Sequence, residues 1–308
     1  MGTHYNVTIV SPPSHITRDQ LQQTIDSVLK RVNQQMSTYI DDSEISRFNQ
    51  APVGEWFSVS AETLQVVNAA QSLSQLSAGA FDITVGPLIE LWGFGRKITS
   101  TPPADDAIMR LLDRIGWRYL LVNDATTSLK KERPITINLS AIAKGYGVDA
   151  VAQQLDKLSI AHYLVEVGGE IRVKGQNGSS QPWRIGIETP SLNHQGAQRA
   201  IALGDSAVAT SGDYRNFYEH EGKRYSHTID PKTGKPVTHQ LASVTVITDT
   251  AMMADGLATL FNVVGYQQAL AIAEKNQIAV YLIGYNGDSY DIHYSSAFAP
   301  YLDQDITQ

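Results

Sequence analysis

Between Ile135 and Leu155 the hydrophobic pattern changes its period. Ile135, Ile137 and Leu139 alternate with Thr136, Asn138 and Ser140, which predicts a half-buried strand. Val148, Val151, Ala152 and Leu155 then recur at helical spacing. Lys144, Gly145 and Gly147 lie between, among small residues that let a backbone approach a ligand closely. A strand turning through such a loop into a helix aims free N–H groups outward, a place that suits anions. A tight β-to-α connection without a ligand has the same pattern. The Gly-x-x-x-x-Gly-Lys-Ser/Thr spacing of a P-loop is missing.

Alternation over residues 4–10 predicts a first strand, stopped at Ser11-Pro12-Pro13. Leu21, Ile25, Val28, Leu29 and Val32 mark an amphipathic helix after Thr17, followed by an acidic loop at Asp41-Asp42-Ser43-Glu44. Ser60 caps a helix through Leu64, Val67, Ala70, Leu73 and Leu76. The glycine-rich run Gly79 to Leu88 suits a backbone wrapped around something flat, or a buried turn. Pro102-Pro103 opens a helix through Met109 and Leu112, with strands near 119–122 and 134–139. Strands follow at Tyr163–Val167, Ile171–Lys174, Trp183–Ile187 and Ala200–Leu203, with a polar surface loop over 190–198. Glu221-Gly222 tips a hairpin, Leu241 to Thr248 alternates as a strand, and a helix runs from Asp249 to Val264. A helix over 269–274, a strand over 280–283 and a hairpin at Asn286-Gly287 close the chain. With no repeat or linker, residues 1–308 read as one domain of α+β class, or as two interwoven lobes, with helices packed on mixed or mostly antiparallel sheets.

Hydrophobic residues at 42% and charged ones at 18% are those of an ordinary globular protein. The formal net charge of −7, without a basic run, argues against nucleic-acid binding. An anionic ligand therefore needs a local cation, a lysine or a helix end. The chain has no cysteine, which excludes disulfides, thiolate catalysis and zinc–thiolate sites. No apolar run reaches the roughly 18 residues of a spanning helix.

Asp255 and Thr259 stand four apart on a predicted helix and share a face. Carboxylate, hydroxyl and carbonyl oxygens are hard ligands suited to magnesium or calcium, although exposed pairs at this spacing are common. His227 precedes the Asp230-Pro231 turn, where a histidine is either a solvated surface group or a catalyst. Neither a Gly-x-Ser-x-Gly elbow nor a Gly-x-Gly-x-x-Gly fingerprint occurs.

Several blocks follow one another along the chain. They are Met1-Gly-Thr3, Ser37-Thr-Tyr39 with Ser43-Glu-Ile-Ser-Arg-Phe-Asn49, Gly79-Ala-Phe-Asp-Ile-Thr-Val-Gly-Pro-Leu88 and Leu139-Ser-Ala-Ile-Ala-Lys-Gly-Tyr146. Val167-Gly-Gly-Glu170, Thr210-Ser-Gly-Asp-Tyr214, Ser226-His-Thr-Ile-Asp-Pro-Lys-Thr-Gly-Lys-Pro236 and Ala254-Asp-Gly-Leu-Ala-Thr259 complete the set. In this order they resemble the ApbE family, the FAD:protein FMN transferases, over essentially the whole chain.

The resemblance implies a magnesium-dependent enzyme that moves FMN from FAD, through its phosphate, to a threonine of a partner protein, releasing AMP. By the same resemblance Tyr39 stacks on the flavin, and Met1, Ala80, Phe81 and Asp82 line its pocket. Asn138, Lys144 and Ile229 fall at further FAD-contacting positions. Asp255, Thr259 and the main-chain oxygens of Ala141 and Ala258 hold the metal. His227 matches a histidine proposed as catalytic, with Asp255 as the second candidate.

The family's acceptors are subunits of membrane electron-transfer complexes of the Nqr and Rnf type. Its members usually carry a signal peptide and a lipid-modified cysteine ahead of the Met-Gly-Thr block. The resemblance thus implies a periplasmic protein lipid-anchored to the inner membrane, with Met1 an internal residue exposed by truncation. FAD hydrolysis to FMN and AMP, or a flavin carrier without turnover, are the competing readings. The Asp255/Thr259 pair counts against the carrier, since simple storage needs no metal.

Overall fold

The computed structural model of the chain describes residues 2–188, 197–212, 216–285, 287 and 289–302. Met1 and most of the polar loop expected over 190–198 lie outside these residues. The chain forms two compact units, interleaved in sequence. The first comprises Met1–Arg31, Ala143–Tyr214 and Gln240–Gln308, the second Val32–Ile142 and Arg215–His239.

In the first unit seven strands make one sheet, in the order Tyr5–Ile9, Tyr163–Val167, Glu170–Lys174, Ser206–Gly212, Leu241–Thr248, Ala279–Tyr285 and Tyr290–Tyr294. Every neighbouring pair is antiparallel. Gly168 and Gly169, at φ 64° and 103°, form the two-residue turn between the second and third of these strands. That turn pairs Glu170 with Val167 and so fixes where Glu170 stands.

The Leu241–Thr248 strand is buried along most of its length, because both of its faces are covered. The Ala251–Val264 helix packs on it, on Ser206–Gly212 and on the Ala143–Lys157 helix. A hairpin of Trp183–Glu188 and Ala197–Leu203 forms a second core with Val208, Ile247, Tyr281 and Phe298. No helix among the described residues is long and apolar enough to cross a membrane.

The second unit holds a three-stranded antiparallel sheet of Phe57–Ser58, Ser128–Lys131 and Leu120–Asn123. Its Ala61–Leu76 helix starts at Ser60, whose side chain accepts from Thr63 N–H as expected. The expected acidic loop is a turn over residues 41–43, and a helix not read in the sequence, Glu44–Gln50, follows it because Ser43 caps it and Ile45 and Phe48 bury one side. One expectation fails here.

Residues 135–139 form no ladder, although Ile135, Ile137 and Leu139 are buried as the alternation requires. A side chain takes the place of a neighbouring strand at Ile137, and main-chain oxygens serve Ile135 and Asn138. Asn49 Oδ1 accepts from Ile137 N–H at 2.8 Å and Asn49 Nδ2 donates to Ile137 O at 2.9 Å, while Asn138 N–H donates to Ile83 O at 2.7 Å. An asparagine amide presents the same donor and acceptor as a neighbouring strand, so the extended backbone is satisfied without a sheet.

Candidate active site

Two helices in the first unit come close enough to share backbone groups. A Cβ on Gly145 would lie 2.1 Å from Ala251 O, so only glycine fits there. The sequence suggested that this glycine admits a ligand; what it admits is the neighbouring helix.

At this crossing each helix places a carboxylate on the other's first turn. Asp255 Oδ2 accepts from Gly145 N–H at 2.9 Å. Asp149 Oδ1 and Oδ2 accept from Ala251 N–H at 3.0 Å and Met252 N–H at 2.8 Å. First-turn N–H groups have no acceptor within their own helix and favour negative charge, so both contacts are stabilising. Arg172 Nη1, 2.6 Å from Asp149 Oδ1, neutralises the second carboxylate.

Lys144 serves the first carboxylate. Its Nζ lies 3.1 Å from Asp255 Oδ1 and 3.3 Å from Glu170 Oε1. Burial alone would pull the lysine down, but the two carboxylates outweigh it and raise its pKa. Burial, reinforced by the charge of Asp255, pushes the Glu170 carboxyl up to about 8 against the opposing pull of Lys144. Glu170 Oε2 is buried without a hydrogen-bond partner. Thr259, half-buried, stands one turn beyond Asp255 on the same helix, next to the buried Ala258.

The remaining expected residues belong to the second unit. Ala80 and Phe81 are buried walls, and Asp82 ties its loop together. Asp82 Oδ1 accepts from the N–H and hydroxyl of Thr84 at 2.8 and 2.7 Å, and Oδ2 from Trp117 N–H at 2.9 Å. Burial raises the Asp82 pKa in spite of these bonds. Asn138 Oδ1 accepts from the N–H and hydroxyl of Ser140 at 2.9 and 2.6 Å, and its backbone joins the same loop at Ile83. Tyr39 is 61% exposed, with the Arg96 guanidinium 5.8 Å from its ring centre. Ala141 also belongs to this unit.

His227 continues the ladder of the Phe217–His220 and Lys223–Ser226 hairpin. Its N–H donates to Asn216 O at 3.1 Å, and its ring Nδ1 lies 3.0 Å from the same oxygen. Phe94 meets the imidazole edge-on at 6.3 Å and begins a stack of rings through Tyr218 and Tyr225 to Trp92, spaced 5.2–5.6 Å. Ile229 is buried with Trp92, Leu88, Ile108 and Ile115.

Sequence reasoning missed Glu170, Asp149 and Arg172. The Gly168-Gly169 turn signals a hairpin, but nothing local shows that its next residue meets Lys144.

The structure is an antiparallel α+β scaffold on which a half-buried lysine stands between two buried carboxylates, with a threonine hydroxyl one helical turn away. The chain belongs to the ApbE family, whose model matches residues 1–282. It is 47% identical over 304 residues to the FAD:protein FMN transferase of Vibrio cholerae serotype O1, covering 98% of this chain and 90% of that one. The solved flavin transferase ApbE of Vibrio cholerae superposes with a TM-score of 0.91 at 45% identity, over 98% of this chain and 96% of that one. The apo form of the Pseudomonas stutzeri flavinyl transferase ApbE gives 0.89 at 36% identity, over 98% and 94%.

Proposed function

We propose that this chain is an FAD:protein FMN transferase that uses magnesium and esterifies FMN onto a threonine of an acceptor protein. The observation that carries the reading is the Lys144–Asp255–Glu170 cluster, a cation held at a helix N-terminus by buried carboxylates. The donors available there fit magnesium. Asp255, the Thr259 hydroxyl and the main-chain oxygen of Ala258 are hard ligands carried by one helix, and the family resemblance adds the main-chain oxygen of Ala141. Among the described residues no three His, Cys, Asp or Glu side chains gather into a cage of their own. When bound, magnesium would neutralise the pyrophosphate of FAD, which the acidic chain would otherwise repel.

Lys144 then faces the phosphates as a fixed positive charge and stabilises what builds up on the phosphoryl oxygens and on the departing AMP. Tyr39, Ala80, Phe81, Asn138 and Ile229 hold the flavin half, with Asp82 keeping its loop in shape. A carbonyl oxygen can only accept, so the neutral His227 ring carries its proton on Nδ1 and its basic lone pair on Nε2. There it would take the threonine proton as threonine Oγ bonds to the FMN phosphorus and the phosphorus–oxygen bond to AMP breaks. Met1 is assigned to the flavin pocket by family resemblance alone.

The same reading puts the enzyme in the periplasm, lipid-anchored to the inner membrane, acting on subunits of electron-transfer complexes of the Nqr and Rnf type. Incubation with FAD, magnesium and such an acceptor should release one AMP per covalently fluorescent acceptor. AMP without labelled protein would make water the acceptor, and no AMP at all would make the chain a carrier.

A further inference from the structure

We infer that Glu170 is a positioning residue for Lys144, holding the ammonium in the cluster while a divalent cation takes the Asp255 carboxylate. This rests on the magnesium reading above. Lys144 Nζ is already divided between the two acids, at 3.3 Å from Glu170 Oε1 and at 3.1 and 3.5 Å from the two oxygens of Asp255. Glu170 is 4% exposed, yet its Oε2 has no hydrogen-bond partner. A buried carboxylate with an unused oxygen is costly, so a partner absent from the resting arrangement is expected for it. Its place is set by the main chain, through the two-glycine turn that pairs it with Val167.

The two acids differ in what else they hold. Asp255 also accepts from Gly145 N–H and shares its helix face with Thr259, whereas no backbone donor reaches Oε2 of Glu170. A divalent ion arriving at Asp255 repels the ammonium there. With Asp255 as its only anchor, Lys144 would either block the ion or leave the cluster. Glu170 gives it a second anchor, at 3.3 Å, and a spare oxygen to turn onto. Two cations can then act on one substrate, with the lysine displaced only locally.

The test is Mn2+ binding to the full chain without FAD, followed by calorimetry or electron paramagnetic resonance. Glu170→Gln leaves Lys144 bound to Asp255 alone, so Mn2+ affinity should fall by about 10- to 100-fold, the scale for groups that orient a metal site from outside. In a Lys144→Met background the same Glu170→Gln change should have no effect on affinity. Weakening that persists in that background would make Glu170 a direct ligand and overturn the inference. An unchanged affinity in Glu170→Gln, with only the melting temperature lowered, would leave it a structural acid and overturn it equally. Absence of saturable Mn2+ binding by the wild type would instead remove the metal reading itself.

Discussion

The two candidate halves of the chemistry are positioned by opposite means. Around Asp255 everything is charge and backbone: two helix N-termini, the carboxylates of Asp255, Glu170 and Asp149, and an ammonium, all held within hydrogen-bond or ion-pair distance. Around His227 the order comes from a hairpin ladder and a stack of rings, with the carbonyl oxygen of Asn216 against the imidazole Nδ1. Charged groups need exact partners because a buried charge left unpaired is expensive. Ring stacks tolerate small shifts, and each ring pair contributes about 0.5–1.5 kcal/mol beyond its area burial. Substitutions in the first region should therefore be all-or-none, and those in the second graded.

Asp255→Ala is the harshest way to break the comparison. It leaves Gly145 N–H unmatched and removes the proposed metal carboxylate, so transfer should fall by about 10³-fold or more in single-turnover assays. EDTA should silence the wild type in the same assay, and magnesium should restore it. Normal turnover at low magnesium would end the assignment.

His227→Ala should lower single-turnover transfer by about 10²- to 10⁴-fold while FAD affinity stays near wild type. Near-normal transfer would remove the imidazole from the mechanism.

Asp149→Ala touches neither proposed ligand nor base and sharpens the comparison in stability. It strips the Ala251–Val264 helix of its first-turn acceptor and leaves Arg172 unpaired, so denaturant unfolding should show a loss of about 3 kcal/mol. A loss below about 0.5 kcal/mol, the level of ordinary surface changes, would show that the shared carboxylates do not govern this crossing.

Tyr39→Ala should give the smallest effect, a roughly three- to tenfold weaker FAD affinity, since ring stacking contributes about 0.5–1.5 kcal/mol beyond area burial. Unchanged affinity in a flavin fluorescence titration would place the flavin elsewhere.

How much of this could be read in advance depended on the range of the interaction. The helix carrying Asp255 and Thr259 was legible because side chains four apart on a helix share a face whatever surrounds them. The burial of Ile135, Ile137 and Leu139 was legible from period alone, but their partner was not. Asn49 is distant in sequence and acts through a side-chain amide rather than a strand. Gly145 carried a true signal of close approach, but the sequence left open what approaches, and the Ala251–Val264 helix is what packs on it. Glu170 was visible as the residue after a turn, while its meeting with Lys144 depends on how the sheet and helix pack. Local rules give periods and turns; they are silent about which buried charges face each other.

The exchange of carboxylates between the Ala143–Lys157 and Ala251–Val264 helices has a consequence for how the protein opens. Neither helix can fray at its start without taking a donor from the other's buried carboxylate, because Gly145 N–H donates to Asp255 and Ala251 and Met252 N–H donate to Asp149. These three amides, remote in sequence, belong to one cooperative unit. In native-state hydrogen exchange they should lose protection together, at the free energy of separating the two helices.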